Sequence, residues 1–182
     1  MKSILKAAIV ATVTLLLLSS LSSASVASAA AAAKPPFPTS PCHYVNQVLP
    51  DPKCTPGVRS LAVYQKNINS TICVPGYAAS VRPPVSYTAP IKILLMHAYN
   101  VTNQSRGSFE LDHLIPLELG GSPKNVKNLW PEPIKSAFVK DRSVEDKLHT
   151  AVCNHTVSLF LAQREIATNW TALIGTTTTT TK

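Results

Sequence analysis

Residue types that could support hydrolysis lie close together in the second half of the 182-residue chain. Asp112 and His113 are adjacent, Asn128 follows a glycine-containing stretch, and Asp141 and Glu145 lie four residues apart. A neutral imidazole can take a proton from water, and carboxylate and amide oxygens are ligands for hard cations such as Mg²⁺. Together they predict a general base beside a divalent-cation site.

The two later acids lie on a predicted helix from about Ser136 to Cys153. At 100° per residue, its apolar stripe contains Ala137, Val144, Leu148 and Val152. Asp141 falls in the middle of this stripe and Glu145 at its edge. Buried, unpaired carboxylates are costly, so both should meet a cation, either a metal or a lysine or arginine. Alternatively, the stripe begins one turn later and both acids are exposed.

The segment before this helix predicts two short strands. Apolar and polar residues alternate from Phe109 to Leu114, the chain turns at Gly120 and Gly121, and the pattern resumes at Asn128 to Trp130. Strand, strand and helix would bring the base, the amide and the carboxylates together. Trp130 is more simply a core residue than a base-stacking one.

Two further helices flank this unit in the prediction. Ser86 can cap a helix that ends near Tyr99, with Pro90 in its first turn. Another should run from Ser158 to Leu173, end at Gly175 and bury Trp170. Fifteen prolines and the absence of a fixed repeat argue against a coiled coil or a helical bundle.

The chain divides into an N-terminal targeting segment and one predicted domain. Residues 1–30 have two early lysines, an uncharged apolar core and small residues, which is typical of a secretory signal peptide. The alternative is a membrane anchor, which needs about 20 predominantly apolar residues, and this apolar core is shorter. We expect a disordered lead at 31–41, a single domain at 42–175 and a disordered threonine tail at 176–182. Cleavage should leave an exported protein without stable membrane association.

The four cysteines should form disulfides, because an even number in an exported chain is typical of them. Three pairings are possible. We favour Cys42 with Cys54 and Cys73 with Cys153. The proline-rich stretch from Cys42 to Pro84 should then be irregular in structure and held by disulfides. A zinc site is the alternative, but no close cysteine pair supports it.

The stretch ELDHLIPLELGG...NVKNLWPEP resembles the core of the HNH or His-Me finger nucleases, from Glu110 to about Leu148. Beyond it, the order of CTPG, TICVPGY and VRPPVSYT before this core is similar to a group of exported bacterial proteins described as HNH-like. The resemblance implies an α+β fold with a ββα-metal core, flanked by helices.

The resemblance also implies roles for individual residues. His113 would be the general base, Asn128 would hold the histidine loop, and Asp112 would bind Mg²⁺, with Mn²⁺ as an alternative. Asp141 and Glu145 would take the place of the helical histidine that many members carry, and His149 is a weaker candidate.

Basic residues near this core could bind phosphates, namely Lys124, Lys127, Lys135, Lys140, Arg142 and Lys147. The alternative is a solvated face of mixed charge, because acids share the same stretch. The whole chain has a net charge of +8 and stays basic without the signal peptide, which suits a polyanionic partner.

These features predict a secreted, metal-dependent endonuclease that hydrolyses phosphodiester bonds in DNA or RNA with low sequence specificity. The alternative function is a catalytically inactive HNH-like scaffold that binds a polyanion or a protein partner. Five asparagines lie in N-x-S/T sequons, which are glycosylation acceptors only in a eukaryotic secretory route. The oligomeric state cannot be read from the sequence.

Overall fold

The computed structural model describes residues 37–38 and 41–176. It combines helices with a two-stranded antiparallel sheet and two disulfides, so the predicted α+β class is confirmed at that level. The predicted signal peptide at 1–30 lies outside the described residues, as does most of the predicted lead and tail. No helix in the described part of the chain is long and apolar enough to cross a bilayer.

The two predicted strands form a hairpin. Strand β1 covers Phe109–His113 and strand β2 covers Leu129–Pro133. In their register, Asp112 lies opposite Trp130 and Glu110 lies opposite Glu132, so these four side chains share one face of the sheet. Strand β2 extends beyond the predicted segment into Pro131 and Pro133, which a two-stranded sheet tolerates because each strand has a free edge.

The connection between the strands packs too tightly to admit a side chain at Gly121. A Cβ there would lie 1.8 Å from the backbone oxygen of Ile115, and Gly120 has a positive φ of 71°. Only glycine fits both requirements without displacing the loop. The loop therefore folds back closely against the end of β1.

A continuous helical stretch follows the hairpin, as predicted, but one part of it is wound as a π-helix. Helix α3 covers Ile134–Lys140, the π-helical segment covers Asp141–Glu145 and helix α4 covers Asp146–Cys153. Such π-helical turns are rare and occur often at functional sites. The predicted stripe residues Ala137, Val144, Leu148 and Val152 are all buried along this stretch.

Three other helices enclose the hairpin unit. They are α1 at Tyr77–Val81, α2 at Val85–Ala98 and α5 at Leu159–Asn169. Helix α5 starts one residue after the predicted Ser158, which is its N-cap, and Trp170 is buried in a short 3₁₀ turn after it. The predicted cap of α2 is wrong, because Pro84 rather than Ser86 precedes the helix, and Pro90 lies in its second turn.

Both favoured disulfides are present. Cys42 pairs with Cys54, and Cys73 pairs with Cys153, so no described cysteine is a free thiolate for zinc. His149 lies beside the second bridge, 3.4 Å from the Cys153 sulfur, and its Nε2 contacts the Ile72 carbonyl oxygen at 2.8 Å. This histidine therefore belongs to the disulfide region.

The main core lies between the hairpin and the helices. Its largest fully buried side chains are Trp130 and Trp170. Burial of Trp130 confirms its predicted core role. A smaller apolar cluster of Ile91, Leu95, Val126 and Leu129 joins α2 to β2, and Phe37 from the predicted lead packs against it.

Candidate metal centre

A polar cleft of about 250 Å³ opens beside the end of β1. Strand β1 and the π-helical segment form two of its sides, and the end of α1 contributes a third. The charged and titratable side chains lining it are Arg82, Glu110, Asp112, His113, Glu118, Asp141, Glu145 and Asp146. Four of the five predicted catalytic and metal-binding residues thus line one cavity.

Asp112 is the best-connected carboxylate of the cleft. Its Oδ2 accepts hydrogen bonds from Trp130 Nε1 at 2.9 Å and from Lys140 Nζ at 2.7 Å. Burial alone would raise the pKa of Asp112, but the charge and hydrogen bond of Lys140 outweigh it and lower that pKa. Asp112 is therefore an anion at neutral pH.

Lys140 is completely buried and supplies the cation for this carboxylate. Its Nζ also donates to Glu145 Oε1 at 2.5 Å and to the backbone oxygen of His113 at 3.1 Å. Burial would lower the pKa of Lys140, but the neighbouring carboxylates Asp112 and Glu145 raise it well above its usual range. The prediction that Lys140 binds phosphates on the surface is therefore wrong.

One oxygen from each of Asp112, Asp141 and Glu145 lies within 4.8 Å of the others. Lys140 holds Oδ2 of Asp112 and Oε1 of Glu145. The donor set is all oxygen, which suits Mg²⁺ or Mn²⁺ rather than a softer metal. By the type and spacing of their oxygens, the three residues suit a hard divalent cation.

The two helical acids differ in burial from the prediction. Asp141 is exposed at the rim of the cleft, whereas the Glu145 side chain is only 12% exposed. The buried position predicted for Asp141 belongs to Lys140, whose ammonium group is held by acceptors on β1. Burial and the nearby carboxylate of Asp112 raise the pKa of Asp141, and burial raises the pKa of Glu145 to about 8.

His113 is buried beside Asp112, with 6% of its surface exposed. Its Nε2 lies 3.1 Å from the carbonyl oxygen of Pro123. Because a carbonyl oxygen can only accept, Nε2 carries the proton in this contact and Nδ1 holds the lone pair of the neutral ring. Burial lowers the pKa of His113 below its usual 6.5, so the imidazole is neutral at pH 7.

Asn128 makes the predicted contact with the loop after His113. Its Oδ1 accepts from the amide of Ile115 at 3.0 Å, and its Nδ2 donates to the carbonyl oxygens of Ile115 and Ser122. The amide of Val58 also donates to Oδ1. This fully buried side chain clamps the loop from both ends and does not line the cleft.

Sequence reasoning missed Glu132, which is completely buried behind the site. No described group donates a hydrogen bond to its carboxyl oxygens, and Asp112 is the side chain that its own O–H can reach. Burial, with repulsion from Asp112, raises the pKa of Glu132 to about 10, so this carboxyl is protonated at neutral pH. Glu132 lies opposite Glu110 in the hairpin, and this pairing could be known only once the strand register was known.

The remaining predicted phosphate-binding residues are exposed but lie outside the cleft. They are Lys124, Lys127, Lys135 and Arg142, together with Lys147. Lys124 lies over the Tyr87 ring and Arg142 over the Phe138 ring, at 5.4 and 4.7 Å from the ring centres. The basic side chain that lines the cleft is instead Arg82, which sequence reasoning did not select.

Comparison with known proteins gives no assignment, because no family model, curated protein or solved structure matches this chain.

Proposed function

We propose that this protein is a secreted, divalent-metal-dependent endonuclease of low sequence specificity, with a ββα-metal core like that of the HNH nucleases. One observation carries the proposal: the oxygens of Asp112, Asp141 and Glu145 converge in the same cleft as the neutral imidazole of His113. A base beside an oxygen-lined cation site is what hydrolysis of a phosphodiester requires.

Asp112, Asp141 and Glu145 would hold Mg²⁺ or Mn²⁺. When bound, the cation would neutralise charge that develops on the phosphate and on the departing oxygen. Lys140 orients two of the three ligands by holding one oxygen of each. Its contacts are made inside the protein, so the geometry of these ligands does not depend on the substrate.

His113 would take a proton from the attacking water. The contact with Pro123 fixes its tautomer, and its lowered pKa keeps the base form available at neutral pH. Asn128 would keep the following loop against β1, so that the imidazole stays at the cleft wall. These two residues act as base and positioning residue, respectively.

Charge and size both bear on the substrate. Six carboxylates and one arginine line the cleft, so a polyanion would be repelled unless a divalent cation is bound. The volume of about 250 Å³ lies below the roughly 300–1,000 Å³ of typical small-molecule pockets. We infer that only the phosphodiester would enter while the bases stay outside, which would give low sequence specificity on DNA or RNA.

The two disulfides support export, because such bonds persist in oxidising compartments. Export also suits the predicted signal peptide. The protein would then act on nucleic acid outside the cell that makes it.

A second candidate function, an inactive scaffold that binds a polyanion or protein, is favoured by one contact. Lys140 already forms ion pairs with Asp112 and Glu145, so these two acids have a cation between them without a metal. In that case the exposed lysines outside the cleft would carry the binding.

Incubation of the purified mature protein with plasmid DNA and with RNA tests the proposal. Each substrate is exposed to Mg²⁺, Mn²⁺ or chelator, with His113→Gln beside the wild type. His97→Gln is the control, because His97 is an exposed histidine that does not line the cleft. We expect cleavage by the wild type and by His97→Gln with a divalent cation, and none with chelator. Binding of either substrate without cleavage under all conditions would favour the scaffold.

A further inference from the structure

We propose that Arg82 binds the phosphodiester from the wall of the cleft supplied by helix α1. The inference rests on the proposed function, and it identifies the side chain that recognises the substrate phosphate. It also moves phosphate recognition away from the lysine-rich stretch between Lys124 and Lys147.

The backbone holds Arg82 in one place. It follows the last residue of α1 and precedes Pro83 and Pro84, which lead directly into α2. Its φ of −64° and ψ of 126° are the extended geometry that a following proline imposes. The guanidinium therefore projects from a short, rigid junction between two helices.

Arg82 forms no ion pair within the described part of the chain, although six carboxylates line the same cleft. The cluster's internal cation is Lys140, which contacts Asp112 and Glu145 directly. Arg82 is thus an exposed, unpaired guanidinium beside a carboxylate cluster whose own neutralisation comes from elsewhere. It is available to a ligand.

The position of Arg82 relative to the other cleft groups fits an anion that bridges two cations. Its positive charge acts on His113, Asp141 and Glu110, so these groups lie within its electrostatic reach. A phosphodiester drawn to a cation held by the carboxylates would meet the guanidinium in the same cleft. Guanidinium groups bind phosphate oxygens through two parallel hydrogen bonds, which a lysine cannot reproduce.

Covalent structure keeps the two walls together. The Cys73–Cys153 disulfide joins the segment before α1 to the last residue of α4. The wall that carries Arg82 is therefore tied to the helical stretch that carries Asp141 and Glu145. This arrangement limits how far the arginine can move from the carboxylates.

Binding of a short fluorescein-labelled DNA oligonucleotide in Mn²⁺, followed by fluorescence anisotropy, tests the proposal. The variants are Arg82→Met and Arg82→Lys, with Arg142→Met as the control because Arg142 is also exposed but lies outside the cleft. We expect Arg82→Met to raise Kd about tenfold and to lower the slope of log Kd against log salt by about one. Arg82→Lys should recover the salt slope but only part of the affinity.

Cleavage rates of the same variants separate this proposal from the proposed function. Arg82→Met should raise KM for the oligonucleotide while its melting temperature stays at the wild-type value. A wild type that cleaves, with Kd and KM unchanged in Arg82→Met, overturns the role of Arg82 and leaves the nuclease proposal standing. A wild type that binds without cleaving, with binding lost in Arg82→Met, overturns the nuclease proposal and supports Arg82. A wild type that neither binds nor cleaves the oligonucleotide overturns both.

Discussion

The ammonium nitrogen of Lys140 lies 2.7 Å from Oδ2 of Asp112, and the two side chains are 0% and 8% exposed. The same oxygen accepts the indole N–H of Trp130, so β1, β2 and α3 meet at a single carboxylate. A cation from within the protein thus occupies one side of a carboxylate cluster whose other side faces the cleft.

Loss of this lysine should destabilise the protein strongly. Lys140→Met leaves Asp112 and Glu145 buried without a cation, and breaking a buried pair in this way costs about 3 to 5 kcal/mol. Urea unfolding in the presence of chelator measures the loss. If the cluster binds divalent cations, added Mn²⁺ should restore part of the stability of Lys140→Met.

Lys147→Met is the matched control, because Lys147 is exposed on α4 and should change stability by less than about 0.5 kcal/mol. Equal unfolding free energies for the two variants would show that the Lys140 ion pairs do not stabilise the fold.

The buried acid Glu132 should make stability fall as pH rises. Its pKa of about 10 in the folded state exceeds its ordinary 4.5, so the folded protein keeps a proton that the unfolded chain releases. The stabilisation is fully present below pH 4.5 and is lost as the pH rises toward 10. Glu132→Gln cannot release a proton and should therefore gain stability relative to the wild type between pH 5 and pH 8.

Urea unfolding of the wild type and of Glu132→Gln at pH 5 and at pH 8, with chelator present, measures this difference in stability. Glu165→Gln on the surface of α5 is the control and should follow the wild type at both pH values. The same pH dependence in Glu132→Gln and in the wild type would show that Glu132 is not protonated in the folded state.

The two disulfides should contribute unequally to stability. The Cys73–Cys153 bridge closes 80 residues, whereas Cys42–Cys54 closes 12. The loss of chain entropy in the unfolded state should stabilise the fold by about 4.5 kcal/mol for the long bridge and about 2.8 kcal/mol for the short one. Replacing each pair by alanine and comparing unfolding free energies checks the order. A larger loss for the short bridge would contradict the entropic account.

His113→Gln should lower cleavage by about 10² to 10⁴-fold, because glutamine can donate to Pro123 but cannot act as a base.

In the wild type, activity should persist at pH 7 and fall only below pH 6.5, where the imidazole takes up a proton. Because the unfolded chain takes up this proton at a higher pH than the folded protein, the contribution of His113 to the free energy of unfolding is complete above pH 6.5 and weaker below it. Rate–pH profiles and thermal melts of both proteins measure these effects. A loss of rate matched by an equal loss of folded protein would give His113 a structural role.

Much of the hairpin could be predicted from local patterns. Alternating residues around Asp112 and the glycine pair at Gly120 and Gly121 define both strands and their tight connection. These features depend on neighbours in the sequence. The clamp role of Asn128 was implied instead by the resemblance to the HNH nucleases, and its contacts with Ile115 and Ser122 agree with it.

The identity of the buried helical residue could not be predicted in the same way. In an ideal α-helix Asp141 lies roughly 40° from Ala137, inside the apolar stripe, whereas Lys140 lies roughly 60° to the other side, outside it. Acceptors on β1 hold Lys140 inward, and Asp141 lies at the rim. Arg82 was missed because it lies far upstream of the basic stretch.

The central claim is that Asp112, Asp141 and Glu145 hold a divalent cation that hydrolysis requires. The direct measurement is the rate of oligonucleotide cleavage as the Mn²⁺ concentration is varied, for the wild type and for Asp141→Asn. We predict saturation in the wild type, with half-saturation about tenfold higher in Asp141→Asn. Asp141 has a raised pKa beside other acids, so the metal-free variant should be at least as stable as the wild type. Cleavage that ignores Mn²⁺, or the same half-saturation in both proteins, would contradict the account.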